Sequence, residues 1–229
     1  MSSPWVPRVL LGVGIVGLIA AIVSLSVGTG GPTVIKISGG DEVQELLGGV
    51  RQDGPSLGSP DAPVTLGLFT DLQCSTCDSY QLDTVDPLIA KYARGDQVRF
   101  ELHNYSLGQA DVTQSAYAAT AAGEQDREWQ FADLFFRNQD EAPGGTVTDE
   151  FLDDIGNSIP DFDLDAFHEA MGSEDVKARV DADQKLAAQY RLRVDAPSII
   201  VDGPGGSKVL QDGPSKELVE AAIAEVGGP

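Results

Sequence analysis

The feature that most restricts what this chain can fold into is an apolar run at residues 64–69, VTLGLF, closed by Pro63 and Asp71. A short apolar run between such residues is the pattern of a buried strand. Residues 75–94 follow with Leu82, Val85, Ile89 and Tyr92 at helical spacing and Gly95 at the stop, with Pro87 placed to kink the helix. Residues 97–105, QVRFELHNY, then alternate as a half-buried strand. Strand, helix, strand is thus expected over 64–105.

Residues 111–192 have the grammar of helices. Asp111-x-x-Gln114 has the form of a capping box before AYAATAA. Trp129, Ala132 and Phe136 fall on one helix face beside Phe131, Leu134 and Phe135, a stripe expected to pack as core. Thr148 and Ser173, each followed by two acidic residues, are expected as N-caps. Shorter helices are expected over 151–155 and 164–171. Residues 197–203 and 206–213 return as a strand pair about a Pro-Gly-Gly turn, and 215–226 close as a helix. The expected fold class is α/β: a mixed sheet with helices on its faces and a helical insertion over about 108–192.

In front lies a different kind of sequence. Residues 9–27 run nineteen positions without a charge, about 28 Å as a helix against a hydrocarbon core of about 30 Å. That length favours a retained transmembrane anchor (1–28) over a cleaved leader, for which Ser24 and Ser26 offer the alternative cut site. The Gly12-x-Gly14-x-x-Gly17 within it matches a dinucleotide fingerprint only in letters, since no strand precedes it and no acid follows. Arg8 on the short side places the remainder outside the cytoplasm. A Gly-, Pro- and Ser-rich tether is expected over 29–56, with one short strand at 34–37 and one helical turn at 43–47, ahead of a globular domain over 57–229. Beyond residue 40 lie all 36 acidic residues and 13 of the 15 basic ones, a net −23. Such a charge keeps a domain soluble and argues against nucleic acid or anionic lipid as a partner.

The chain holds two cysteines, Cys74 and Cys77, in TDLQCSTCDSY. As a staple the pair is poorly placed, because a cross-link over two intervening residues hardly restricts the unfolded chain. As a metal site it supplies two of four ligands, and the other soft donors are His103, on a strand, and His168, in the helical block. Both histidines are expected as packed or surface residues. Disulfide exchange requires an exocytoplasmic compartment, a nucleophilic sulfur where a strand hands over to a helix N-terminus, and a second thiol one turn on. The anchor, Cys74 and Cys77 meet these in turn. Asp71 and Asp78 stand close by and no Lys, Arg or His lies between Arg51 and Lys91. The Cys74 thiol is therefore expected below the free value of roughly 8.5 but not among the lowest.

LGSPDAPVTLGLFTDLQCSTC, EWQFADLFFRNQ, LDAFHEA and YRLRVDAPSIIVDG together resemble the DsbA-type branch of the thioredoxin fold, as membrane-anchored bacterial thiol–disulfide oxidoreductases carry it, over about residues 57–226. The resemblance implies Cys74 as nucleophile, Cys77 as resolving thiol, and Pro197 as a cis-proline opposite them. Ala196 would offer backbone hydrogen bonds to an extended substrate, with Ser75 and Thr76 alongside. No cofactor is implied beyond a redox-active Cys74–Cys77 disulfide, and no metal. Partners would be cysteine-containing exported proteins and a quinone-linked membrane protein that recharges the disulfide. Two departures stand out: Ser75-Thr76 replaces the proline-containing dipeptides common in the branch, and Leu68 occupies the position where several relatives bury an acid. Oxidation of exported proteins is the expected function; a reductase or isomerase, and an adaptor with idle cysteines, are the alternatives. Asn104-x-Ser106 fits a glycosylation sequon only weakly, at a strand end.

Overall fold

The computed structural model describes Met1 and residues 35–105, 110–142, 146–193 and 196–227, of which 110–113 are described by backbone alone. The expected anchor at 9–27 lies outside the described residues, and among those described no helix is long and apolar enough to cross a membrane.

Helix α1 (Gly40–Leu47) opens the described chain, followed by a small hairpin of β1 (Gln52–Asp53) and β2 (Ser56–Leu57). The helical turn expected at 43–47 is present within α1, residues 35–37 form no strand, and the flexible tether expected through residue 56 gives way to packed structure. Val43 and Leu47 of α1 and Leu57 of β2 are buried in the core. The Ile35 amide donates to Asp154 and the Ser38 amide to Asn138, so side chains more than ninety residues away fix this stretch. The turn needs Gly54, whose φ of +55° lies in the left-handed region. It presents the Pro55 carbonyl to both the Leu102 amide and the Trp129 indole N–H, at 3.0 and 2.7 Å.

The sheet has six strands among the described residues, ordered β1-β2-β4-β3-β5-β6. At its centre β3 (Val64–Thr70) runs parallel to β4 (Val98–Asn104) and antiparallel to β5 (Ser198–Gly203), which pairs antiparallel with β6 (Gly206–Leu210). Every residue of β3 except Thr65 is buried, which is what an apolar run covered by helices on both faces requires. The insertion between β4 and β5 is helical: α4 (Ala110–Gly123), α5 (Glu128–Asn138), a short 3₁₀ turn (Gln139–Glu141), α6 (Asp149–Asn157), α7 (Leu164–Met171) and α8 (Glu174–Gln189). Thr148 and Ser173 cap α6 and α8 through their hydroxyls, as their sequence context predicts. Asp111 is not a cap, because α4 is already helical at Ala110; Gln114 instead donates to Asp149 at 2.7 Å. The α5 aromatics are core: Trp129, Phe131, Phe135 and Phe136 are all buried. Helix α9 (Lys216–Glu225) closes the described chain.

The helix after β3 is not continuous from residue 75. It comprises α2 (Cys77–Tyr80), a π-helical turn (Gln81–Val85) and α3 (Asp86–Tyr92). Pro87, without an N–H, cannot donate to the preceding turn. The Asp86 amide bonds the Gln81 carbonyl five residues back, so the strain is absorbed as a wide turn rather than a sharp kink.

Candidate active site

The parallel pairing of β3 with β4 sets where β3 ends, and its last residues deliver the chain into a tight turn over Asp71–Cys77. The Cys74 amide donates to the Asp71 carbonyl and the Cys77 amide to the Cys74 carbonyl, each at 3.1 Å. The Asp71 carboxylate, itself buried, accepts from the Gln73 amide at 2.9 Å. Helix α2 begins only at Cys77, so Cys74 precedes the first helical turn by three residues instead of standing at its start. Residues 74–77 form a hydrogen-bonded turn of their own, and the first helical bond of this segment runs from Tyr80 to Thr76.

Cys74 and Cys77 are joined in a disulfide with Cα atoms 5.3 Å apart. The two sulfurs have different surroundings. Cys77 is 2% exposed and belongs to the hydrophobic core, whereas Cys74 is half-buried and flanked by exposed Ser75 and Thr76. Thr76 Oγ1 lies 3.5 Å from Cys74 Sγ. With the sulfur oxidised, the hydroxyl is the donor, and it would favour a thiolate there after reduction. The Gln139 amide donates to the Cys74 carbonyl at 3.3 Å, so the helical insertion helps hold the turn.

Antiparallel pairing sets Ser198 opposite Phe69, which places Ala196 and Pro197 at the edge of the sheet where β3 ends. There Thr76, Tyr80, Asp83, Pro197, Asp212 and Gly213 line a groove of about 320 Å³, with Ala196 on its wall. Of the expected site residues, Thr76, Ala196 and Pro197 line this groove, and Thr76 connects it to Cys74; Cys74, Ser75 and Cys77 are not among its lining residues. The expected cis bond is corrected: no peptide bond among the described residues is cis, so Ala196–Pro197 is trans, the isomer favoured by about 0.5–1 kcal/mol for X–Pro bonds.

The far wall escaped sequence reasoning. The Gly213 amide donates to the Pro197 carbonyl at 2.9 Å, and the Tyr80 hydroxyl to the Pro214 carbonyl at 2.9 Å. Burial pushes the Tyr80 phenol up, so it stays a donor. One loop, Gln211–Pro214, thereby ties the cysteine-bearing helix to the strand bearing Pro197. The Asp212-Gly213-Pro214 run is a turn signal that could have pointed to it.

Two buried polar clusters lie nearby in the fold. In one, Gln81, a turn beyond Cys77, donates to Asp86 at 2.9 Å, while Arg137 donates to Asp86 at 2.6 Å and to Asp133 at 2.8 Å. Burial, then the Asp86 charge, push the Asp133 carboxyl up to about 7, against the lowering effect of Arg137. In the other, fully buried Glu128 accepts from Asn104 and Arg179 at 2.7 Å each, and burial pushes its carboxyl up to about 8. Asn104 is 0% exposed, which excludes it as a glycosylation acceptor in the folded chain. His103 stacks on Phe69 and bonds Asp183 at 2.7 Å, and His168 bonds Asp153 at 2.9 Å; neither reaches the cysteines. Among the described residues no cluster of His, Cys, Asp and Glu is suited to a metal ion.

A protein-family model described as thioredoxin matches residues 51–223. Among curated relatives, "Probable disulfide bond formation protein D" of Bacillus cereus is 28% identical over 151 residues, covering 65% of this chain and 69% of the relative. "Disulfide bond formation protein D" of Bacillus subtilis is 26% identical over 150 residues, covering 65% and 67%. Among solved structures, oxidised BdbD from Bacillus subtilis superposes with a TM-score of 0.66 at 22% identity, over 78% of this chain and 98% of that one. The thiol–disulfide exchange protein alpha-DsbA2 from Wolbachia pipientis gives 0.64 at 15% identity, over 82% and 93%. At these identities the two structures establish the shared fold.

Proposed function

Since the chain belongs to the thioredoxin family, we propose that it is a DsbA-like thiol–disulfide oxidoreductase acting on cysteine-containing exported proteins, in the oxidising direction. The observation that carries this is the inequality of the two sulfurs: one partly open to solvent beside a groove, the other 2% exposed. A substrate thiolate attacks Cys74 Sγ, the Cys74–Cys77 bond breaks, and Cys77 leaves with the electron pair and gains a proton. The second substrate thiolate then attacks the substrate sulfur of the mixed disulfide, expelling Cys74. The substrate loses two electrons to the pair, and a membrane quinone-linked partner removes them to restore the disulfide. In that scheme Ser75, Thr76 and Ala196 contact the substrate, Pro197 backs the exchange, and residues 9–27 hold the domain at the outer face of the cell membrane. The disulfide itself is the only redox group required.

The test is capture. A Cys77→Ser variant incubated with a reduced, unfolded cysteine-bearing protein and oxidised glutathione should accumulate a mixed disulfide through Cys74, and Cys74→Ser should accumulate none. No capture by Cys77→Ser would favour an adaptor with idle cysteines. Equilibration with glutathione sets the direction: a potential near about −120 mV supports an oxidant, and one near about −270 mV a reductant.

A further inference from the structure

The groove beside the disulfide has a charge that exchange chemistry does not require. Asp83, exposed on the π-helical turn, and Asp212, on the Gln211–Pro214 loop, both line this groove together with Thr76 and Pro197. Asp83 forms no ion pair among the described residues. Asp212 pairs with Arg193 at 2.9 Å, but both side chains are about 60% exposed, at 62% and 59%, and such surface pairs are weak and readily exchanged. No Lys, Arg or His lies anywhere between Arg51 and Lys91, so nothing on the cysteine-bearing segment offsets these charges.

The wall that carries Asp212 is also fixed. Asp212 has a φ of +63° and Gly213 of +62°, a left-handed pair that aspartate and glycine tolerate better than other residues. The Gly213–Pro197 and Tyr80–Pro214 hydrogen bonds then lock the loop at both ends. The backbone that carries Asp212 is thus held against both the cysteine-bearing helix and Pro197, so its carboxylate stays at the groove.

We propose that Asp83 and Asp212 are specificity-determining residues, selecting as substrates extended peptides that carry Lys or Arg within a few residues of the reacting cysteine. The proposal rests on the oxidoreductase reading and narrows its substrate class. In a water-like medium a cation roughly 7 Å from a carboxylate gains about a threefold preference, so one that approaches both this closely gains about tenfold. The gain falls as salt rises toward the ionic strength at which the screening length matches those separations.

Three reduced dithiol peptides, alike except for lysine, glutamine or glutamate beside one cysteine, test this with the oxidised protein. The expected result is a kcat/KM for the lysine peptide several-fold above that for the glutamine peptide, the glutamate peptide slowest, and a ratio that shrinks with salt. Asp83→Asn should reduce the lysine-to-glutamine ratio about threefold, and Asp83→Asn with Asp212→Asn should bring it close to one. Glu174→Gln, which removes an exposed charge on α8, should leave the ratio as it is. Equal rates for all three peptides, or a lysine preference that survives the double substitution, overturns the proposal while leaving the exchange activity standing. Failure to oxidise any of the three peptides overturns the oxidoreductase reading and the proposal with it.

Discussion

Asp133 offers a perturbation whose size follows from the structure. Its carboxyl is 1% exposed, shares the Arg137 guanidinium with Asp86, and leaves its second oxygen without a hydrogen bond. Burial and the Asp86 charge push it to about 7 from an ordinary 3.8. A group raised in the folded state binds its proton more tightly there, so the stability it contributes is whole below about 4 and is lost as pH rises toward 7. Integrating the linkage between pH 5 and 8 gives a loss of about 2–3 kcal/mol for one such group. Asp133→Asn keeps the shape and removes the titration. The urea stability of wild type relative to this variant should therefore fall by about 2–3 kcal/mol between pH 5 and 8, a relative midpoint shift of about 1 M for an m-value of about 2 kcal/mol/M. Groups remote from Asp133, Glu128 included, titrate alike in both proteins and cancel; Asp86, which shares Arg137, does not, so the difference reads the Asp133–Asp86 pair. A wild-type-to-variant gap that stays constant across this range would refute the assignment, and would mean that Arg137 holds both carboxylates ionised.

The remaining predictions concern the groove and its sulfur. Thr76→Val removes the hydroxyl 3.5 Å from Cys74 Sγ and should raise the Cys74 thiol pKa by roughly half to one unit, read from thiolate absorbance against pH; an unchanged titration contradicts that contact. Gly213→Ala forces a Cβ onto a backbone at φ +62° and should cost about 1–2 kcal/mol in urea unfolding. The same variant should lower peptide kcat/KM, because the strained loop anchors Pro197; full activity would separate the loop from the site.

The sheet and the cysteine pair could be read directly because their signals are local. The 64–69 run, the alternation of 97–105 and the turn at 204–206 each mark a strand by composition and period, and the acids after Thr148 and Ser173 mark helix starts. What could not be read depends on partners far along the chain. Gln52–Asp53 and Ser56–Leu57 are too short and polar to announce themselves, and β2 is a strand because Leu57 meets Phe100 of β4. Helix α1 was legible only as one helical turn over 43–47; its full extent over Gly40–Leu47 follows from the burial of Val43 and Leu47. The helix after β3 begins at Cys77 and not at residue 75, because residues 74–77 form a hydrogen-bonded turn of their own. Within the site, the Cys74–Cys77 pair was legible as a motif and Pro197 only through the family resemblance, while Tyr80, Gln139 and the Asp212–Gly213 loop become neighbours only through tertiary packing.

The most direct measurement is differential alkylation of the reduced domain under native conditions, followed by peptide mass spectrometry. Modification is predicted at Cys74 first, at least about tenfold faster than at Cys77, because the latter sits in the core with 2% exposure. Equal rates, or prior modification of Cys77, would contradict the assignment of Cys74 as the attacking sulfur.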